Sequence, residues 1–192
     1  MATPSYSFAI TNWHLNMIYR QNITSFNSAS DPQKRALAYC QSLQQGDQSP
    51  PLYTAFKLIE LPARILPTTH LVDVLDGGQE FRFRYWGSGM TEFLGYDATG
   101  KTTEDLIPTT MGDRVREVFR SMVSSKQALA MMSEFERPNS GIVGFQKFIR
   151  VPLAAADGTI AQILSVVEFL VDRYAARDLL SGTTDLDRTG DT

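Results

Sequence analysis

The feature that most constrains this chain is a change of hydrophobic period near residue 69, from helical spacing to strict alternation. In Glu80 to Trp86 (EFRFRYW), Phe81, Phe83 and Tyr85 fall on one side and Arg82, Arg84 and Trp86 on the other, as a strand with one buried face requires. The preceding Thr69 to Leu75 (THLVDVL) is rich in β-formers, and Asp76-Gly77-Gly78-Gln79 supplies the positive φ angles of a tight turn. These segments are expected to pair as a hairpin. Ala128 to Glu136, Val143 to Leu153 and Thr159 to Phe169 add further strands, separated by Pro138-Asn139-Ser140-Gly141 and by Asp157-Gly158.

Helical signals fill the gap between the hairpin and these later strands. Met90, Phe93 and Leu94 fit a short helix ended by Gly95, and Thr102-Thr103-Glu104-Asp105 reads as a capping sequence before Pro108. Met111, Val115, Val118, Phe119, Met122 and Val123 then mark the apolar stripe of a longer helix. Ahead of the hairpin, Ile10 to Tyr19 has weak helical spacing, and Asp31-Pro32 starts a helix carrying Ala36, Leu37, Cys40 and Leu43. The predicted class is α+β: a five-stranded antiparallel sheet with short helices on one face, plus an N-terminal helical extension. Residues 1–60 are assigned to that extension and its linker, 61–171 to the main domain, and 172–192 to a short helix near Asp172 to Leu180 and a disordered tail.

Composition narrows the partners. With 43% apolar and 20% charged residues the chain should fold, and a net charge of -3 with scattered basic residues argues against nucleic acid. The absence of a signal-peptide pattern, of any long apolar run and of a second cysteine beside Cys40 leads to the expectation of a cytoplasmic protein without a transmembrane segment or disulfide. Cys40, on an apolar stripe, reads as a packed and inert thiol.

The element order, together with Tyr85-Trp86-Gly87 at the exit of the second strand, Phe93-Leu94-Gly95-Tyr96 and the following Gly100, resembles the PAS superfamily. The segments LPARILPTTHLVDVLDGG and KFIRVPLAAADGTIAQILSVVEFL are similar to a bacterial family of free-standing PAS-like proteins. The resemblance spans about Leu61 to Leu170. It implies a five-stranded antiparallel sheet with short helices between its second and third strands, and signal transduction by ligand binding or protein association. PAS flavoproteins of the photoreceptor kind carry a cysteine in the short-helix region, and haem-binding members carry a histidine on the long helix. This chain has neither, so no cofactor is expected.

No catalytic or metal-binding set emerges from the residues. His14 and His70 are the only histidines and lie in no recognisable motif; Gly87-Ser88-Gly89 lacks nucleophile-elbow spacing and reads as a tight strand-to-helix exit. Glu104-Asp105 and Glu134/Glu136 lack the companions a metal needs. A ligand site remains as an apolar pocket. Phe83, Tyr85, Met90 and Phe93 supply one part of its expected lining, Phe119, Met122 and Met131 another, and Ser165 a polar contact. The leading expectation is a non-enzymatic sensory or regulatory module for a small apolar metabolite or a signalling protein partner, with homodimerisation through the N-terminal extension as a second expectation and docking of that extension back onto its own sheet as the rival. The alternative is a small enzyme in which Asp73 moves protons beside an apolar pocket. The purified protein is expected to be colourless, and an absorption spectrum showing a stoichiometric visible band would contradict the exclusion of flavin and haem.

Overall fold

A computed structural model describes residues 18–46, 49–136, 143–170 and 184–185. In chain order its elements are β1 (Ile18–Ile23), α1 (Asp31–Ser42), β2 (Thr69–Leu75), β3 (Glu80–Trp86), α2 (Ser88–Leu94), α3 (Thr109–Ser125), β4 (Leu129–Glu136), β5 (Val143–Ala154), β6 (Ile160–Leu170) and β7 (Thr184–Asp185). The strands form one sheet in the order β3-β2-β6-β5-β4-β1-β7, and every pairing is antiparallel. The five predicted strands are its first five members.

The ends of the sheet differ from the sequence expectation. Ile18 and Tyr19 belong to a strand rather than to a helix, and the remainder of the predicted helix, residues 10–17, lies outside the described residues. β1 pairs with β4 from Ile18↔Glu136 to Ile23↔Met131, which satisfies backbone groups that an open edge would leave exposed. Within the segment assigned to a disordered tail, Thr184–Asp185 pairs with β1. The predicted turn at 138–141 and helix at 172–180 lie outside the described residues.

Both faces of the sheet are buried. On one, α2 and α3 cover Val72, Phe81, Phe83, Met131 and Ile163, and Phe119 of α3 packs at 5.2 Å from Phe81 between ring centroids. On the other, Ala36 and Cys40 of α1 join Phe56 against Leu71, Ile149 and Leu164. The helical extension therefore supplies the second cover of the sheet, where the sequence placed helices on one face alone. This explains why β2 reads as Leu71 and Val72 pointing opposite ways with neither exposed. Burial raises the Cys40 thiol to about 12, so it is protonated and unreactive at neutral pH.

Gln33 anchors this second cover. Its Oε1 accepts from the Ser30 N–H at 3.2 Å, tying off the start of α1. Its Nε2 donates to the carbonyl oxygens of Lys147 at 3.0 Å and Val166 at 3.1 Å, so one buried amide joins α1 to both central strands. Lys147 extends the junction, donating to the Ser28 carbonyl at 2.9 Å and pairing with Glu168 at 2.8 Å.

Two glycines allow close approaches around the helical roof. A Cβ on Gly87 would collide with the carbonyl oxygens of Leu66 and Pro67, and one on Gly112 with that of Thr103. The former fixes the abrupt exit from β3 into α2; the latter lets the turn at Thr103–Asp105 rest on α3.

The alternation of β3 holds only in part. Leu71 pairs with Tyr85 and Val72 with Phe83, so Arg84 is an extra residue in a β-bulge. The bulge reverses the facing of the last two residues of the strand: Trp86 enters the α2/α3 core, whereas Tyr85 packs on the α1 side and donates its hydroxyl to the Leu66 carbonyl at 2.9 Å. The residues before the bulge keep the expected arrangement, with Phe83 buried and Arg82 exposed. Phe83→Ala is accordingly expected to cost about 3 to 5 kcal/mol by leaving a core cavity, and Arg82→Ala about 0.5 kcal/mol. Equal losses on chemical denaturation would contradict this packing.

Candidate functional site

Beneath α2 and α3 a row of side chains crosses the sheet in direct register. Trp86 of β3 pairs with His70 of β2, His70 with Ser165 of β6, and Ser165 with Arg150 of β5. All four are buried, Ser165 completely and Arg150 to 1% exposure. The row thus places a donor-only indole, an imidazole, a hydroxyl and a guanidinium within an otherwise apolar interior.

Three of these groups end without a hydrogen-bond partner: Trp86 Nε1, His70 Nδ1 and Ser165 Oγ. An unmet buried polar atom costs about 1 to 3 kcal/mol, so such a cluster calls for an explanation other than packing. His70, Trp86 and Arg150 also border a cavity of about 20 Å³, lined in addition by Phe83, Met90, Leu94, Met111 and Phe148, with Gln146 as another polar wall. That volume is about what one water needs, so anything larger requires the walls to yield.

Aromatic contacts fix the polar groups. His70 lies 5.6 Å from the Phe83 ring and 5.5 Å from Trp86 between centroids. The Arg150 guanidinium sits over Phe119 at 4.8 Å and Phe148 at 4.7 Å, a cation–π arrangement that holds its plane. Burial, with the Arg150 charge adding to it, keeps the His70 imidazole well below its ordinary range and therefore neutral. Ser165 Oγ makes no hydrogen bond to it, so the pair is not an activated nucleophile.

Five antiparallel strands carry α2, a short 3₁₀ turn and α3 between the second and third of them, and those helices roof the polar row. The fold is PAS-like. Among solved structures it is similar to the dark state of the blue-light photoreceptor Aureochrome1 LOV, at 16% identity over 66% of this chain and 91% of that one, with a TM-score of 0.46. It is also similar to VqmA bound to DPO, at 16% identity over 62% of this chain and 56% of that one, TM-score 0.44. The PAS domain of the fruit-fly ELK potassium channel matches at 15% identity over 54% and 86% of the two chains, TM-score 0.38. These likenesses concern fold alone. No protein-family model and no curated protein matches the chain.

Within the PAS-like interior, Phe83 and Met90 border the cavity, while Phe119, Met122 and Met131 lie in the surrounding core. Phe93 sits at its edge, stacked on Phe169 at 4.0 Å. Ser165 belongs to the polar row. Tyr85 is excluded from the interior by the bulge, which is a correction to the expected lining. Sequence reasoning missed Trp86, Arg150 and Gln146 as cavity residues and placed His70 in no motif. For Arg150 a signal was present: in FIRVPL it shares the parity of Phe148, which already placed an arginine on an inward row.

Asp73 lies away from this cavity. It accepts from Arg84 Nε at 2.7 Å and from Gln162 Nε2 at 3.0 Å, a compensated carboxylate on the α1 side of the sheet and not beside the α2/α3 cavity. A larger groove of about 410 Å³ borders α1, but its polar lining, Gln41, Gln44, Lys126 and Gln127, is exposed to water. Among the described residues no group of three or more His, Cys, Asp or Glu side chains is arranged for a metal, and no helix is long and apolar enough to cross a membrane.

A neutral buried His70 makes stability depend on pH. The unfolded chain takes up a proton near about pH 6.5 that the folded chain resists. The His70 contribution is therefore complete above that value and is lost as the pH falls below it toward the lowered folded value. Denaturation midpoints measured from about pH 7.5 to about pH 5.5 are expected to fall, and to fall less steeply in His70→Gln; parallel slopes would contradict a buried neutral imidazole.

Proposed function

We propose that this PAS-like domain is a non-enzymatic sensory or regulatory module that takes a small ligand between its helical roof and its sheet. The supporting observation is the group of buried, unpartnered atoms Trp86 Nε1, His70 Nδ1 and Ser165 Oγ in the PAS-like interior. A ligand that meets these atoms relieves their desolvation cost and stabilises the folded state by mass action. A site with polar groups set in apolar walls suits a small molecule with a polar end, which extends the small apolar ligand with a Ser165 contact expected from sequence.

A physical route leads from this interior to the surface. Trp86 stacks on Tyr96 at 6.4 Å between centroids, and the Tyr96 hydroxyl accepts from the Ile107 N–H at 3.1 Å. Ile107 is 40% exposed. A ligand that moves Trp86 thereby displaces an apolar surface residue, and the signal passes to another chain, a second copy in the homodimer reading or a signalling protein.

Native mass spectrometry of freshly purified protein tests this reading and reports subunit number in the same spectrum. The expected result is a bound small molecule released on denaturation. Bare subunits under every gentle condition, together with a melting temperature unmoved by metabolite fractions of a cell extract, would overturn it.

A further inference from the structure

The ligand's chemical class follows from the donor set. We infer that the polar row of Trp86, His70, Ser165 and Arg150 recognises the carboxylate of a small organic acid whose short apolar body lies against Met90 and Met111. This rests on the reading of the interior as a ligand site.

Trp86 Nε1 only donates, so whatever meets it carries an acceptor. The Ser165 hydroxyl, between His70 and Arg150 in the row, is a further donor for the same ligand group, and a neutral His70 presents one donor nitrogen. Arg150 adds a permanent cation whose planar fork matches two oxygens of one carboxylate. Its orientation is set by Phe119 and Phe148, so little ordering remains when an acid binds. At 1% exposure water screens that charge weakly, and an anionic oxygen beside it gains more than a neutral carbonyl or hydroxyl.

The apolar walls define the rest of the molecule. A cavity of about 20 Å³ demands local yielding even for a small acid. Methionine provides it. Met90 on α2 and Met111 on α3 border the cavity, and their unbranched side chains change rotamer at small cost. A straight-chain or phenyl-bearing monocarboxylate of a few carbons fits this combination of fixed polar row and adaptable roof.

Calorimetric titration with butanoate, hexanoate and phenylacetate, each compared with its own primary amide, tests the inference on the full chain. At least one acid is expected to bind at least about tenfold more tightly than its amide, and Ser165→Ala is expected to weaken that acid by about tenfold, the loss of one hydrogen bond to a charged group. Arg150→Lys keeps the charge but loses the fork and should weaken it further, whereas Arg150→Met should abolish binding. Where Arg150→Met does not fold, Ser165→Ala decides, since it removes only a hydroxyl that has no partner in the protein. Acids and amides binding alike would overturn the carboxylate assignment while leaving the ligand site standing. Binding of acids unchanged in Ser165→Ala would place them elsewhere and overturn it as well. No binding by any acid overturns the assignment, and a bare native mass spectrum alongside it would remove the ligand site too.

Discussion

The antiparallel ladder between β5 and β6 is the constraint on which the rest of the structure depends. Both strands are central, and their register, from Phe145↔Leu170 to Ala154↔Ile160, decides which residues face each layer. Ile149↔Val166 puts apolar pairs under α1, and the next rung, Arg150↔Ser165, puts polar ones under α3. A slip of β5 by one residue would turn Arg150 toward α1 and bring Ile149 under α3 in its place. Gln33 guards against that slip, because its amide reads a carbonyl on each strand at once.

Covering both faces has a second effect. An antiparallel sheet commonly leaves one side to water, but here α1 and the turns before β2 make a second apolar layer. Lys147 shows how tightly it closes: its side chain is 9% exposed, yet it reaches the Ser28 carbonyl and Glu168. The sheet is held between two layers, so movement beneath α2 and α3 meets resistance from behind and is directed toward the roof.

Much of the fold was legible in the sequence because its signals were local. The Asp76-Gly77-Gly78 turn, the Gly95 helix stop and the stripe of α3 each require specific residues at specific spacings, and each appears in its expected place. The site was less legible because it depends on pairings between strands far apart in the chain. Ser165 could be picked out as an inward polar residue, but its alignment with His70 and Arg150 exists only once β6 lies between β2 and β5. Ile18 and Tyr19 were misread for a similar reason: their weak helical spacing lost to the hydrogen-bonding demand of the β4 edge, a tertiary effect that propensity does not contain.

The bulge at Arg84 makes the interior a matter of counting as well as of composition. Because one additional residue separates Phe83 from Trp86 in the ladder, the last two aromatics of β3 exchange sides without any change in residue type. A chain with the same seven residues paired without the bulge would keep every aromatic yet send a phenol inward and an indole outward. Its interior would gain a group able to accept as well as donate in place of one that can only donate. The register of this strand, as much as any substitution in the cavity wall, therefore sets which polar aromatic faces the interior.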